Sequence, residues 1–163
     1  MTPDEVNALD HAGFVARFGE LFEHSPWVVE RAAALRPFDD VHAGLMAVVF
    51  AAPLEDKLSL IRAHPELAGK AAIDRTLTAA STSEQASVGL DRLTPEEFER
   101  FHALNAAYRE RFDLPFIICV RLTDKAGILA AMEQRLASSR EAEVETALDQ
   151  IGDIVRLRLE ALA

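Results

Sequence analysis

The sequence predicts an all-α fold, a compact single domain of about eight helices covering residues 1–163. Three observations carry this expectation. Helix-start signals recur along the chain, apolar residues follow them at three- and four-residue spacing, and one short run alone looks strand-like. A length of 163 residues suits one domain with one core.

Thr2-Pro3 with Glu5 reads as an N-cap, a first turn and a capping box. Asp10 opens a second helix whose inner face carries Phe14, Phe18, Leu21 and Phe22. Ser25-Pro26 opens a third, with Trp27, Val28 and Leu35, and the Asp39-Asp40 pair precedes a fourth, with Leu45, Met46, Val49 and Phe50. Pro53 starts a fifth, with Leu54, Leu58 and Ile61. It must stop at His64, because Pro65 disfavours helical geometry in the residue before it. Thr94-Pro95 with Glu97 starts a long helix through Arg111, with Phe98, Phe101 and Tyr108 inward. Thr123 precedes a helix carrying Ile128, Leu129, Met132 and Leu136, and the last helix runs from Arg140 to Leu162. The run "LPFIICV" (114–120) has no partner strand, and a lone strand cannot satisfy its backbone. It reads as an extended buried segment or as a helix start at Pro115.

Composition narrows the function classes. Half of the chain is hydrophobic and its net charge is −10, a globular balance that argues against nucleic-acid binding. An anionic substrate would need a local positive site against that field. The longest apolar run, "LMAVVFAA" (45–52), is too short to span a bilayer, so no membrane association is expected. "MTPDEVNALD" lacks the basic and apolar regions of a secretory signal, and "LEALA" is not a peroxisomal address. Cys119 is the single cysteine, expected to be a buried small hydrophobe, and the set points to the cytoplasm.

Three polar positions stand where apolar residues are expected. At 100° per residue, Val144, Leu148, Ile151, Ile154, Val155 and Leu162 share one stripe of the last helix, with Arg158 in its middle and Arg156 pointing elsewhere. A buried arginine needs an anion or several acceptors, so Arg158 is either a structural ion pair or a carboxylate-binding group facing a pocket. In the second case Arg158→Met should leave the fold as stable or more so. Ser81 with Glu84 fits S-x-x-E, a helix N-terminus that places Glu84 and Gln85 in its first turn. The same geometry offers free N–H groups and a positive helix end to a ligand. His64 is either a helix cap or an imidazole turned into a pocket. No H-x-x-x-H, C-x-x-C, glycine-rich phosphate loop or G-x-S-x-G occurs, so no metal and no cofactor are expected. What remains is an acid/base and anion-binding set.

"AHPELAGK", "LTAASTSEQ", "LDRLTPEEFERFHALNAAYRERFDLPFIICVR" and "IGDIVRLRLEAL" resemble, in that order and over nearly the whole chain, the OHCU decarboxylases of urate breakdown. OHCU is 2-oxo-4-hydroxy-4-carboxy-5-ureidoimidazoline. The resemblance implies an all-α fold, often a homodimer, and cofactor-free decarboxylation of this small molecule to S-allantoin. It implies His64, beside Pro65, as the acid/base and Glu84 as the residue that orients the substrate. It implies substrate binding by Ser81, Gln85, the Phe116-Ile117 backbone and Arg158, which the helical wheel singles out independently. "FDLPF" stands where "FGFPF" is common in the family, so Asp113 and Leu114 are expected to alter the pocket rim. The chemistry fits a cofactor-free site, because the carboxylate sits next to a C=N bond that can take up its electrons. An imidazole, with an ordinary pKa of about 6.5, suits proton transfer near neutrality. Two further readings stand beside this one: a non-catalytic helical binding module, and an enzyme of the same fold acting on a related ureido or hydantoin acid.

Overall fold

The computed structural model describes residues 1–68 and 77–163. Among them lie nine α-helices, one 3-10 turn and no strand, as the all-α expectation requires. The chain divides into two compact units, residues 1–63 with 151–163, and residues 64–150.

The first unit holds α1 (Pro3–Asn7), α2 (His11–Phe18), α3 (Trp27–Ala33), α4 (Val41–Ala51), α5 (Leu54–Ala63) and the later turns of the last helix. The Thr2 capping box forms, its hydroxyl accepting from Glu5 N–H at 3.2 Å and Glu5 accepting from Thr2 N–H at 2.8 Å. Asp10 and Asp40 cap α2 and α4 through the N–H groups of Gly13 and Ala43, at 2.7 and 3.0 Å. Ser25 does not cap α3; its hydroxyl donates to the Glu23 carbonyl at 2.9 Å. α2 packs on α3 and α3 on α4, around Phe14, Phe18, Val28, Val29, Leu45 and Val49, all buried. α2 stops at Phe18, because Gly19 is a poor helix former. Leu21 and Phe22 are buried from the following turns, not from the helix. Leu35, Phe50 and Leu54, expected inside, are exposed.

The second unit holds α6 (Ala79–Ser87), α7 (Pro95–Phe112), the 3-10 turn Val120–Leu122, α8 (Lys125–Arg135) and the early turns of α9 (Arg140–Ala161). Thr94 and Glu97 form the expected capping box on α7. α8 is capped by Asp124, one residue after Thr123, through Gly127 N–H at 2.7 Å. α7 packs on α8, burying Phe101, Tyr108, Ile128 and Met132, while Phe98 is exposed and stacks on His102. α7 ends at Asp113, whose φ of 55° is left-handed, a region that Asp enters more readily than most residues because its short side chain bonds locally.

The 114–120 run is the extended buried segment, and side chains supply its missing partners. Arg135 Nη1 donates to the Ile117 carbonyl at 2.7 Å, and Cys119 N–H donates to Gln150 Oε1 at 2.9 Å. Arg135 also lies 4.2 Å over the Phe116 ring, and Tyr108 meets that ring edge-on at 5.3 Å. Leu114 is fully buried. Cys119 is buried as expected. No helix among the described residues is long and apolar enough to cross a membrane.

Candidate active site

Helix α5 ends at Ala63, one residue before His64-Pro65. The imidazole of His64 is buried, at 6% exposure. The loop that follows it, Pro65 to Ala68, is gripped at successive residues by two helices. Gln85 of α6 uses both ends of its carboxamide. Its Oε1 accepts from Ala68 N–H at 3.0 Å and its Nε2 donates to the Glu66 carbonyl at 3.4 Å. Asn105 of α7 donates to the Leu67 carbonyl at 2.9 Å, and Arg109, one turn on, pairs with the Glu66 carboxylate at 2.7 Å. Ala68 sits at φ 51°, a strained left-handed position for a residue with a Cβ. The remainder of the motif, Gly69-Lys70, lies outside the described residues.

On α6, the N-cap is Thr78, which accepts from Ser81 N–H at 3.2 Å. This corrects the expectation that Ser81 caps the helix and that Glu84 and Gln85 fill its first turn. Starting at Thr78 adds a turn and gathers Ser81 and Gln85, four residues apart, on one buried face. Glu84, three residues from Ser81, lies at the half-buried edge of that face. The helix thus presents a hydroxyl, a carboxylate and an amide from one side, and Gln85 ties that side to the loop after His64.

α7 is the shared scaffold of the unit. Asn105 and Arg109 hold the loop, and Tyr108 packs on Phe116. A buried charge network locks it in place. Tyr108 donates to Glu143 at 2.7 Å, and Arg135 Nε donates to the same carboxylate oxygen at 2.8 Å. Burial pushes the Tyr108 phenol well above its ordinary range, and the Glu143 carboxylate adds to the shift. Sequence reasoning missed this network and the grip of Asn105 and Arg109. A signal for Asn105 existed: it interrupts the buried stripe Phe101, Tyr108, Phe112, as Arg158 interrupts its own.

Arg158 belongs to the first unit. It is 8% exposed, pairing through Nη2 with Glu23 Oε2 at 3.2 Å and donating through Nη1 to the Leu21 carbonyl at 3.2 Å. Arg156, on the outer face, pairs with Asp153. The helical wheel placed both correctly. The burial of Arg158 against a carboxylate means that it serves the fold, whatever else it does. Among the described residues no group of three His, Cys, Asp or Glu side chains is arranged to hold a metal.

A family model described as OHCU decarboxylase matches residues 7–160. The chain is 45% identical to the 2-oxo-4-hydroxy-4-carboxy-5-ureidoimidazoline decarboxylase of Haloferax volcanii, over 98% of this chain and 94% of that protein. It is 41% identical to the uric acid degradation bifunctional protein PucL of Bacillus subtilis, over 97% of this chain and 32% of that protein. The crystal structure of an (S)-allantoin synthase superposes with a TM-score of 0.75 at 29% identity, covering 99% of this chain and 54% of that one.

Proposed function

The chain belongs to the OHCU decarboxylase family, and we propose that it is a carboxy-lyase of urate breakdown that converts OHCU to S-allantoin without a cofactor. In the substrate, C4 carries the hydroxyl and the carboxylate, and C5 carries the ureido group and the C=N bond. Breaking the bond from C4 to the carboxylate releases CO2. Its electron pair becomes a C4=C5 double bond, and the C=N pair moves onto the ring nitrogen, which takes a proton. Protonation at C5 on one face then sets the configuration, and the C4 hydroxyl loses its proton as it becomes a carbonyl. The substrate supplies its own electron sink, so the protein has to orient it and move protons.

His64 is the acid/base in this reading. Its support is the buried imidazole at a helix end that Pro65 enforces, on a loop held at three consecutive residues. That rigidity is what proton transfer at a fixed carbon face needs. Glu84, with Ser81 and Gln85, orients the ureido and hydroxyl groups, and the Phe116-Ile117 backbone adds further contacts. Arg158 binds the substrate anion, oriented by Glu23. Its use is orientation, because gripping the departing carboxylate would stabilise the ground state more than a CO2-like transition state. The whole chain, 1–163, acts as one domain and as a homodimer in the cytoplasm, as the family resemblance supports.

The test is to supply freshly made OHCU, with a chelator present, and follow circular dichroism. One allantoin enantiomer should appear at an accelerated rate. Racemic product at the uncatalysed rate would refute the reading.

A further inference from the structure

We propose that Asn105 is a positioning residue for His64, acting through the single hydrogen bond from its carboxamide to the Leu67 carbonyl. The proposal rests on the role of His64 given above and adds a residue that the sequence resemblance does not point to.

Asn105 is a buried polar residue of α7, 5% exposed, between Phe101 and Tyr108. Its Nδ2 lies 2.9 Å from Leu67 O, three residues beyond His64. Its Oδ1 is buried with no hydrogen-bond partner among the described residues. A buried carboxamide with one end unsatisfied is a poor choice for stability alone, since an apolar side chain of similar size would not bury that oxygen. The loop gives it a reason to be there. Ala68 is held at a positive φ, a conformation that persists only where the surroundings over-determine it. Gln85 fixes the residues on either side of Leu67, and Asn105 fixes Leu67 itself. Without Asn105 the middle of the loop loses its tether to α7. The strain at Ala68 can then relax by turning the Leu67 peptide, and this displaces the chain leading back to Pro65 and His64. Arg109 cannot compensate, because it holds a side chain and is half-exposed, whereas Asn105 holds the backbone from inside.

Asn105→Leu tests this. It removes the donor but also removes the unsatisfied oxygen, two effects of similar size and opposite sign, so melting should move little. Turnover should fall by about 10- to 100-fold with KM within about two-fold, because misplacement of a reacting group by about an ångström can cost ~10²-fold. In a His64→Asn background the same change should cost nothing further, since its effect runs through the imidazole. Asn105→Ser, smaller than the native residue, serves in the same cycle if the leucine variant does not fold. Normal turnover in Asn105→Leu overturns the proposal. So does an equal loss with and without His64, which would mark a general structural role. A fully active His64→Asn single variant would instead sink the role of His64 itself, and the positioning role with it.

Discussion

Replacing Arg158 by methionine separates what this residue does for the fold from the substrate-binding role proposed for it. The side chain is 8% exposed and its partner Glu23 is 1% exposed, with 3.2 Å between their nearest charged atoms. From the sequence alone, methionine in an apolar stripe should be harmless or stabilising. The structure reverses that expectation, because the substitution takes the cation from a carboxylate already shielded from water. Breaking a buried pair from one side costs roughly 3–5 kcal/mol, and the lower end applies here, since Glu23 has other interactions in its site. Over 163 residues, an unfolding entropy of about 2.1 cal/mol/K per residue gives about 0.34 kcal/mol/K. The melting temperature should therefore fall by about 9 °C.

Glu23→Gln combined with Arg158→Met removes both charges. What then remains is chiefly the lost hydrogen bond to the Leu21 carbonyl, worth about 1 kcal/mol or about 3 °C. The double variant should recover most of the stability and none of the activity. Arg156→Met is the control, since its pair with Asp153 is exposed, and it should melt and turn over like the parent. The assays are thermal melting by circular dichroism and turnover of OHCU. If Arg158→Met melts with the parent, the buried pair is not holding the first unit together. If the stabilised double variant is fully active, Arg158 is structural and the anion-binding role is wrong.

Glu84→Gln should lower turnover at least ten-fold with melting unchanged within about 1 kcal/mol, because Thr78, not the Ser81–Glu84 pair, caps α6; equal turnover would remove Glu84 from the site. Tyr108 is the single tyrosine of the chain, so the near-ultraviolet phenolate band reports it alone. Burial and Glu143 raise its pKa in the folded state, so the folded chain holds the proton more tightly than the unfolded one. Stability from this group is complete below the ordinary phenol pKa of about 10 and is lost as pH rises beyond it. The phenolate band should therefore appear together with loss of helical signal, and titration near pH 10 in a still-folded protein would show that the phenol is not buried.

The helices were legible because their starts are written in local chemistry. Thr2, Asp10, Asp40 and Thr94 all cap where their side chains predict. At α6 the S-x-x-E pattern pointed to Ser81 as the cap, whereas the helix starts three residues earlier, at Thr78. The tertiary gain chose, since the earlier start turns Ser81 and Gln85 inward together. Leu35, Phe50, Leu54 and Phe98 were misplaced for a related reason, since periodicity marks the apolar side of a helix without saying how much of it is covered. The site shows the same limit more sharply. Arg158 and Asn105 each interrupt an apolar stripe, so the sequence can say that a polar group points inward. It cannot say that the partner of one is a distant carboxylate and of the other a backbone carbonyl, because a carbonyl has no sequence signature. His64 was singled out through a proline and Asn105 was not, though both bear on the same loop. Residues that act through the backbone of a neighbour become visible only once the fold has brought them to it.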